Sequence, residues 1–111
     1  VQIAEHQQGA VTVLAPKGPL CGPDAEQFGV LTRQVSERSL GRIVVDAAGV
    51  PYVDSRGLEI LLDITEQLAD SGKALKLSAA CETLREVMEL TGIASQFEYF
   101  ADVNSAVRSF I

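Results

Sequence analysis

The sequence predicts an α/β fold in which a mixed β-sheet of four to five strands carries about four α-helices, in a single layer mainly on one face. Three observations lead there. Apolar residues make up 47% of the 111-residue chain and fall in patterned blocks, as a buried core requires. Short runs rich in β-branched residues alternate with segments whose apolar residues recur at three- and four-residue spacing. The connections that follow the first pair of strands read as helical, and parallel neighbours need connections of that length. Residues 1–111 are expected to form one domain, because the chain offers too little material for two independent cores.

Taken in order, Gln2 to Glu5 and Ala10 to Leu14 read as a hairpin with Gln7, Gln8 and Gly9 in the turn. The segment Pro16-Lys17-Gly18-Pro19-Leu20-Cys21-Gly22-Pro23 is dense enough in proline and glycine to be expected as loop throughout. Pro23 and Asp24 then open a helix, since proline's missing donor has no partner in a first turn and an acid favours the positive helix end. Ala25, Phe28, Leu31 or Thr32, and Val35 form its apolar stripe, and Ser39 to Gly41 ends it. Arg42-Ile43-Val44-Val45-Asp46 has successive β-branched residues without alternation, which suits a central strand covered on both faces. Asp54-Ser55 precedes a second amphipathic helix with Leu58, Leu61, Leu62, Thr65 and Leu68, closed by Gly72. Ala74 to Ser78 reads as a strand in which Leu75 and Leu77 alternate against Lys76. A third helix carries Leu84, Val87 and Met88 as far as Thr91-Gly92. Phe97 to Phe100 makes a short strand or turn, and a last helix with Val103, Ala106, Val107 and Phe110 takes Asp102 as its cap.

Composition narrows the function. Nine Lys and Arg against fifteen Asp and Glu leave a net charge of −6, scattered without a basic cluster. Such a field repels phosphate backbones and anionic lipid, so neither nucleic acid nor direct membrane binding is expected. No stretch approaches the ~20 apolar residues of a membrane span, and Val1 to Gln8 shows no signal pattern, so a cytoplasmic location is expected. Cys21, Cys81 and the sole histidine, His6, have no metal-ligand spacing. No metal or cofactor is expected, and the cysteines read as free thiols. A receiver domain with Asp46 as acceptor would need an acidic pair after an early strand, and Val13-Leu14-Ala15-Pro16 supplies none. His6 in the hairpin has no partners for a Ser-His-Asp triad, so the chain is not expected to be an enzyme.

The informative stretch runs from Ile43 to Leu58, where a buried strand leads through a short apolar segment to a serine at the start of a helix. Two readings are open from these residues. Asp54 or Ser55 caps the helix, or Ser55 is exposed where free backbone amides favour an anion, making it a phosphoacceptor. Phosphorylation there would add about −1.5 to −2 charges and repel a partner docking with acidic or apolar groups. Gly57, lacking a side chain, would let another protein's backbone approach Ser55. Tyr52 and Val53 read as packing residues, although an exposed Tyr52 would suit an interface. Ser78 and Thr83, near the third helix, read as capping residues before a second modification site.

Joined together, Asp46 at the end of its strand, Gly49-Val50, Asp54-Ser55-Arg56-Gly57-Leu58 and the later Leu90-Thr91-Gly92-Ile93 with Phe97 and Phe100 beyond it resemble the STAS family. The likeness is to its anti-sigma factor antagonists and spans essentially the whole chain. It implies Ser55 as the phosphoacceptor, with Asp54, Ser55, Arg56, Gly57, Leu58, Tyr52 and Asp24 at the partner-binding face. It also implies two partners: a serine protein kinase, often the anti-sigma factor itself, and an opposing metal-dependent serine phosphatase. Unphosphorylated antagonist would bind the kinase and free a sigma factor. Where many relatives carry Gly-x-Leu-Asp before the first helix, this chain has Gly18-Pro19-Leu20-Cys21, so a carboxylate near the phosphoacceptor is missing unless Asp24 substitutes. Arg56 stands where a small residue is frequent in the family, and its guanidinium could pair with a phosphate, pair with an acidic partner surface, or be simply solvated. The family equally admits an unphosphorylated scaffold subunit of a stress-signalling or transport complex.

Overall fold

In the computed structural model, which describes residues 1–111, the elements run β1 (Gln2–Gln8), β2 (Val11–Lys17), α1 (Gly22–Arg38), β3 (Ile43–Asp46), α2 (Ser55–Ala69), β4 (Leu75–Ser78), α3 (Glu82–Leu90), a 3₁₀ turn (Ala94–Gln96), β5 (Phe97–Phe100) and α4 (Val103–Arg108). The five strands lie side by side in chain order. β1 is antiparallel to β2, and every later step is parallel, with α1, α2 and α3 as the crossovers. Strands added in one direction by crossovers of one hand put their helices on one face. Accordingly Phe28 and Val35 of α1, Ile60, Leu61 and Ile64 of α2, and Leu84 and Met88 of α3 share one core with Leu14, Ile43, Val45, Leu75, Leu77 and Phe97 of the sheet. The opposite face is covered by α4, whose Ala106 packs on Val11, Val13 and Val44 with Val103, Val107 and Phe110 around it. Both faces of β3 are therefore dry, which explains its unbroken apolar run. Each fully buried Val, Leu, Ile, Phe or Met side chain among these contributes about 1.5–3 kcal/mol.

Three details depart from the sequence expectation. The hairpin is longer, pairing Gln2↔Lys17 through Gln8↔Val11, and its turn is only Gly9-Ala10. Gly9 has φ +63°, in the position where a two-residue hairpin takes glycine. Strand β2 also runs through Pro16 to Lys17 in place of a loop from Pro16 onward. The amides of Thr12 and Gly18 donate to Arg42 and Gly49 on the β3 side. Strand alternation points the nitrogen of Pro16 the same way, beyond the last registered pair, Leu14↔Val45, so no ladder bond is lost. Finally, Lys76 alternates with Leu75 and Leu77 as expected, but its own face is buried too. The face it points to lies beneath α4, where its ammonium meets Glu98 at 3.0 Å and the rings of Phe110 and Phe100 at 4.7 and 5.3 Å.

Neither Ser78 nor Thr83 caps α3. Its cap position is Cys81, which offers no side-chain bond, while Ser78 is sealed at the end of β4 and Thr83 is exposed in the first turn. Both cysteines are free and half-buried. Thr65 ties α2 to the far edge of the sheet: its hydroxyl donates to the Gln96 carbonyl at 2.6 Å and accepts from the Leu75 amide at 3.0 Å.

Candidate functional site

The carboxyl ends of parallel strands are where open α/β sheets place their sites, and the loops after β2 and β3 meet there. They are zipped by backbone bonds from Gly18 to the Gly49 carbonyl (2.9 Å), from Leu20 to the Tyr52 carbonyl (3.2 Å) and from Asp54 to the Leu20 carbonyl (3.3 Å). Leu20 and Val50, both buried, anchor the pair of loops in the core.

Asp54 is the N-cap of α2, its Oδ1 accepting from the Gly57 amide at 2.8 Å. Its Oδ2 accepts from the amide of Gly22, the first residue of α1, at 3.0 Å. One carboxylate thus holds the amino ends of both helices. Cys21, at the cap position of α1, makes no side-chain cap bond. The amides of Gly57 and Gly22 hold the Asp54 carboxyl below the usual carboxylate range. Its contribution to stability is therefore full above about pH 3.9, the ordinary aspartate value, and is lost as pH falls below that through the folded-state value. Asp54→Ala is expected to lower the thermal midpoint by about 5 °C at neutral pH. The gap to wild type should close toward pH 2 in parallel melts by circular dichroism; a gap independent of pH would mean that the carboxylate's charge is not what caps the helices.

With the cap assigned to Asp54, Ser55 is the first residue of α2, exposed, and its hydroxyl takes part in none of the side-chain hydrogen bonds of the fold. The amides behind it are not all free, as the sequence suggested: Gly57 donates to the Asp54 carboxylate and Leu58 to the Asp54 carbonyl at 3.0 Å. A group added to Ser55 therefore faces outward. Gly57 is buried and is not an opening for a partner's backbone; a Cβ at this position would lie well under 3.0 Å from the Leu20 carbonyl oxygen. Leu58 is half-buried against the core. Tyr52 is 51% exposed and is not a packing residue. Asp24 bonds the Val1 nitrogen at 2.7 Å, and no hydrogen bond joins it to α2.

Arg56 is neither free nor simply solvated. Its Nε donates to Glu26 on α1 and its Nη1 to Glu59 at 3.0 Å. The pairing with Arg56 lowers the Glu26 carboxyl from its ordinary value and raises that of the guanidinium, which Glu59 raises further. Sequence reading missed both carboxylates. Glu59 was accessible as an i,i+3 neighbour, whereas Glu26 lies 30 positions away and only the packing of α1 on α2 brings it close. The surface concavities of the molecule lie elsewhere, none lined by residues 52–58. No group of three or more His, Cys, Asp or Glu residues is placed to hold a metal ion, and no helix is long and apolar enough to cross a membrane.

A five-stranded mixed sheet with its first helix pair bracketed at the strand ends is the class of fold that the family comparison then specifies. The STAS domain family matches residues 2–106, and the chain belongs to it. Among solved structures, a candidate anti-sigma factor antagonist of Thermotoga maritima superposes with a TM-score of 0.87 at 18% identity, covering 96% of this chain and 92% of that one. An anti-sigma factor antagonist of Mycobacterium paratuberculosis gives 0.82 at 21% identity, covering 97% and 92%. The Bacillus cell fate determinant SpoIIAA in its phosphorylated form gives 0.73 at 17% identity, covering 99% and 100%. At these identities the likeness establishes the shared fold.

Proposed function

We propose that this STAS domain is an anti-sigma factor antagonist, a non-enzymatic binding module of the cytoplasm switched by phosphorylation of Ser55. Residues 1–111 act as one unit. Unphosphorylated, the surface around Ser55, with Tyr52, Arg56 and the start of α2, docks on an anti-sigma factor that is also a serine kinase, and so relieves a sigma factor of inhibition. The kinase ends the interaction by modifying Ser55, and a serine phosphatase restores it. The observation that carries this reading is the division of labour between adjacent residues: Asp54 takes the cap, leaving the Ser55 hydroxyl exposed and unbonded. The existence of a phosphorylated form of SpoIIAA, a protein of the same fold, agrees with it.

Mass spectrometry of the protein isolated from its own host is expected to find phosphate on Ser55 and nowhere else. In vitro, Ser55→Ala should abolish incorporation from ATP by the cognate kinase. Phosphate persisting in that variant would refute the assignment, and its lasting absence from Ser55 during active signalling would indicate an unphosphorylated scaffold instead.

A further inference from the structure

The contacts of Arg56 extend the reading of Ser55. The guanidinium sits one residue beyond the hydroxyl, 42% exposed, and bridges α2 to α1 through Glu26 while also holding Glu59. Both carboxylates are exposed, so these are surface pairs that a competing anion displaces at small cost. The Nε donor is held by Glu26 and an Nη1 donor by Glu59, so a two-pronged contact through the Nε edge with a group on Ser55 displaces Glu26. Contact with a new anion is an exchange. Asp54 cannot take part, since its oxygens are committed to Gly57 and Gly22.

We propose that Arg56 is an internal phosphate clamp: when Ser55 is phosphorylated, the guanidinium leaves Glu26 for the phosphoryl oxygens, releasing a bare carboxylate on α1. The inference rests on Ser55 being the modified residue. A phosphate offers a doubly charged, three-oxygen acceptor that suits a guanidinium's parallel donors better than either single carboxylate it holds now. The chemical signal then spreads from the loop onto the outer face of α1, where Arg33 is the remaining cation acting on Glu26. A partner resting on both helices meets two changes in charge for one modification.

The test uses protein with phosphoserine installed at position 55 by genetic encoding, so that no kinase is needed. In ³¹P titrations the second phosphate pKa should lie about 0.3–0.7 unit lower in the Arg56 protein than in Arg56→Gln, with Arg56→Lys between them. In ¹³C-carboxyl titrations, Glu26 should move back up toward its ordinary value on phosphorylation of the Arg56 protein, and by clearly less in Arg56→Gln, where only the charge of the phosphate acts on it. Equal phosphate titrations in the Arg56 protein and in Arg56→Gln, or a Glu26 that ignores phosphorylation, would overturn the clamp. Either result leaves the assignment of Ser55 standing, whereas a kinase that spares Ser55 refutes that assignment without affecting these titrations.

Discussion

Gly57→Ala is expected to destabilise the fold by about 2 kcal/mol, although the same change inside an ordinary helix stabilises by roughly 1 kcal/mol. The added Cβ would stand well under 3.0 Å from the Leu20 carbonyl oxygen. That oxygen belongs to a backbone with little room to yield, since it accepts from the Asp54 amide, the Leu20 amide is bonded to Tyr52, and the Leu20 side chain is buried. Relief of the clash must therefore part the loop after β2 from the start of α2. The same displacement pulls Asp54 away from Gly22 and lets the amino end of α1 loosen. Urea denaturation would measure the loss, and Ser55→Ala, an exposed change two residues earlier, should lie within about 0.5 kcal/mol of wild type. A Gly57→Ala protein as stable as wild type would show that the loop moves freely and that the close approach does not fix the site.

The contrast between Gly57 and its neighbours shows what was legible in the sequence. Elements with strong periodicity were readable because their burial follows from local pattern: the stripe of Ala25, Phe28, Thr32 and Val35 and the unbroken run Ile43-Val44-Val45 lie where spacing alone puts them. A cap at Asp54 or Ser55 followed from chemistry within one turn, and the fold gives it to Asp54. The hairpin turn and the cap of α3 were local misses; the other failures depended on a distant segment. Pro16 reads as a breaker unless the β3 ladder is known to stop at Leu14. The alternation of Lys76 with Leu75 and Leu77 does not tell that α4 folds over it. Gly57 reads as an opening for a partner unless Leu20 is known to lie against it, and Arg56 reads as free unless α1 presents Glu26. Asp24 was offered as a carboxylate for the Ser55 region only through the resemblance, as a substitute for the aspartate that Cys21 replaces, and the bond it makes in the fold is to Val1.

Phosphorylation of Ser55 is expected to weaken binding to the kinase partner by at least about 100-fold, Ser55→Asp by about tenfold, and Ser55→Ala by no more than about twofold. The graded order follows from charge. Alanine removes a hydroxyl that the fold does not use, aspartate adds one negative charge on a shorter arm, and phosphate adds nearly two. The surface receiving them is already negative, with Glu26 and Glu59 on either side of a single guanidinium in a protein of net charge −6. Two costs act together when a partner closes over the site. Coulomb repulsion from acidic groups is screened as salt rises, whereas desolvation of the dianion against apolar groups such as those that would meet Tyr52 is not. Calorimetry of the four proteins at about 0.1 M and about 0.5 M salt separates them: repulsion predicts that the penalty shrinks at high salt, and desolvation that it persists. Equal affinity across the series at both salt concentrations would leave the exposed hydroxyl without a role in docking, and tighter binding of the phosphoprotein would reverse the direction of the switch.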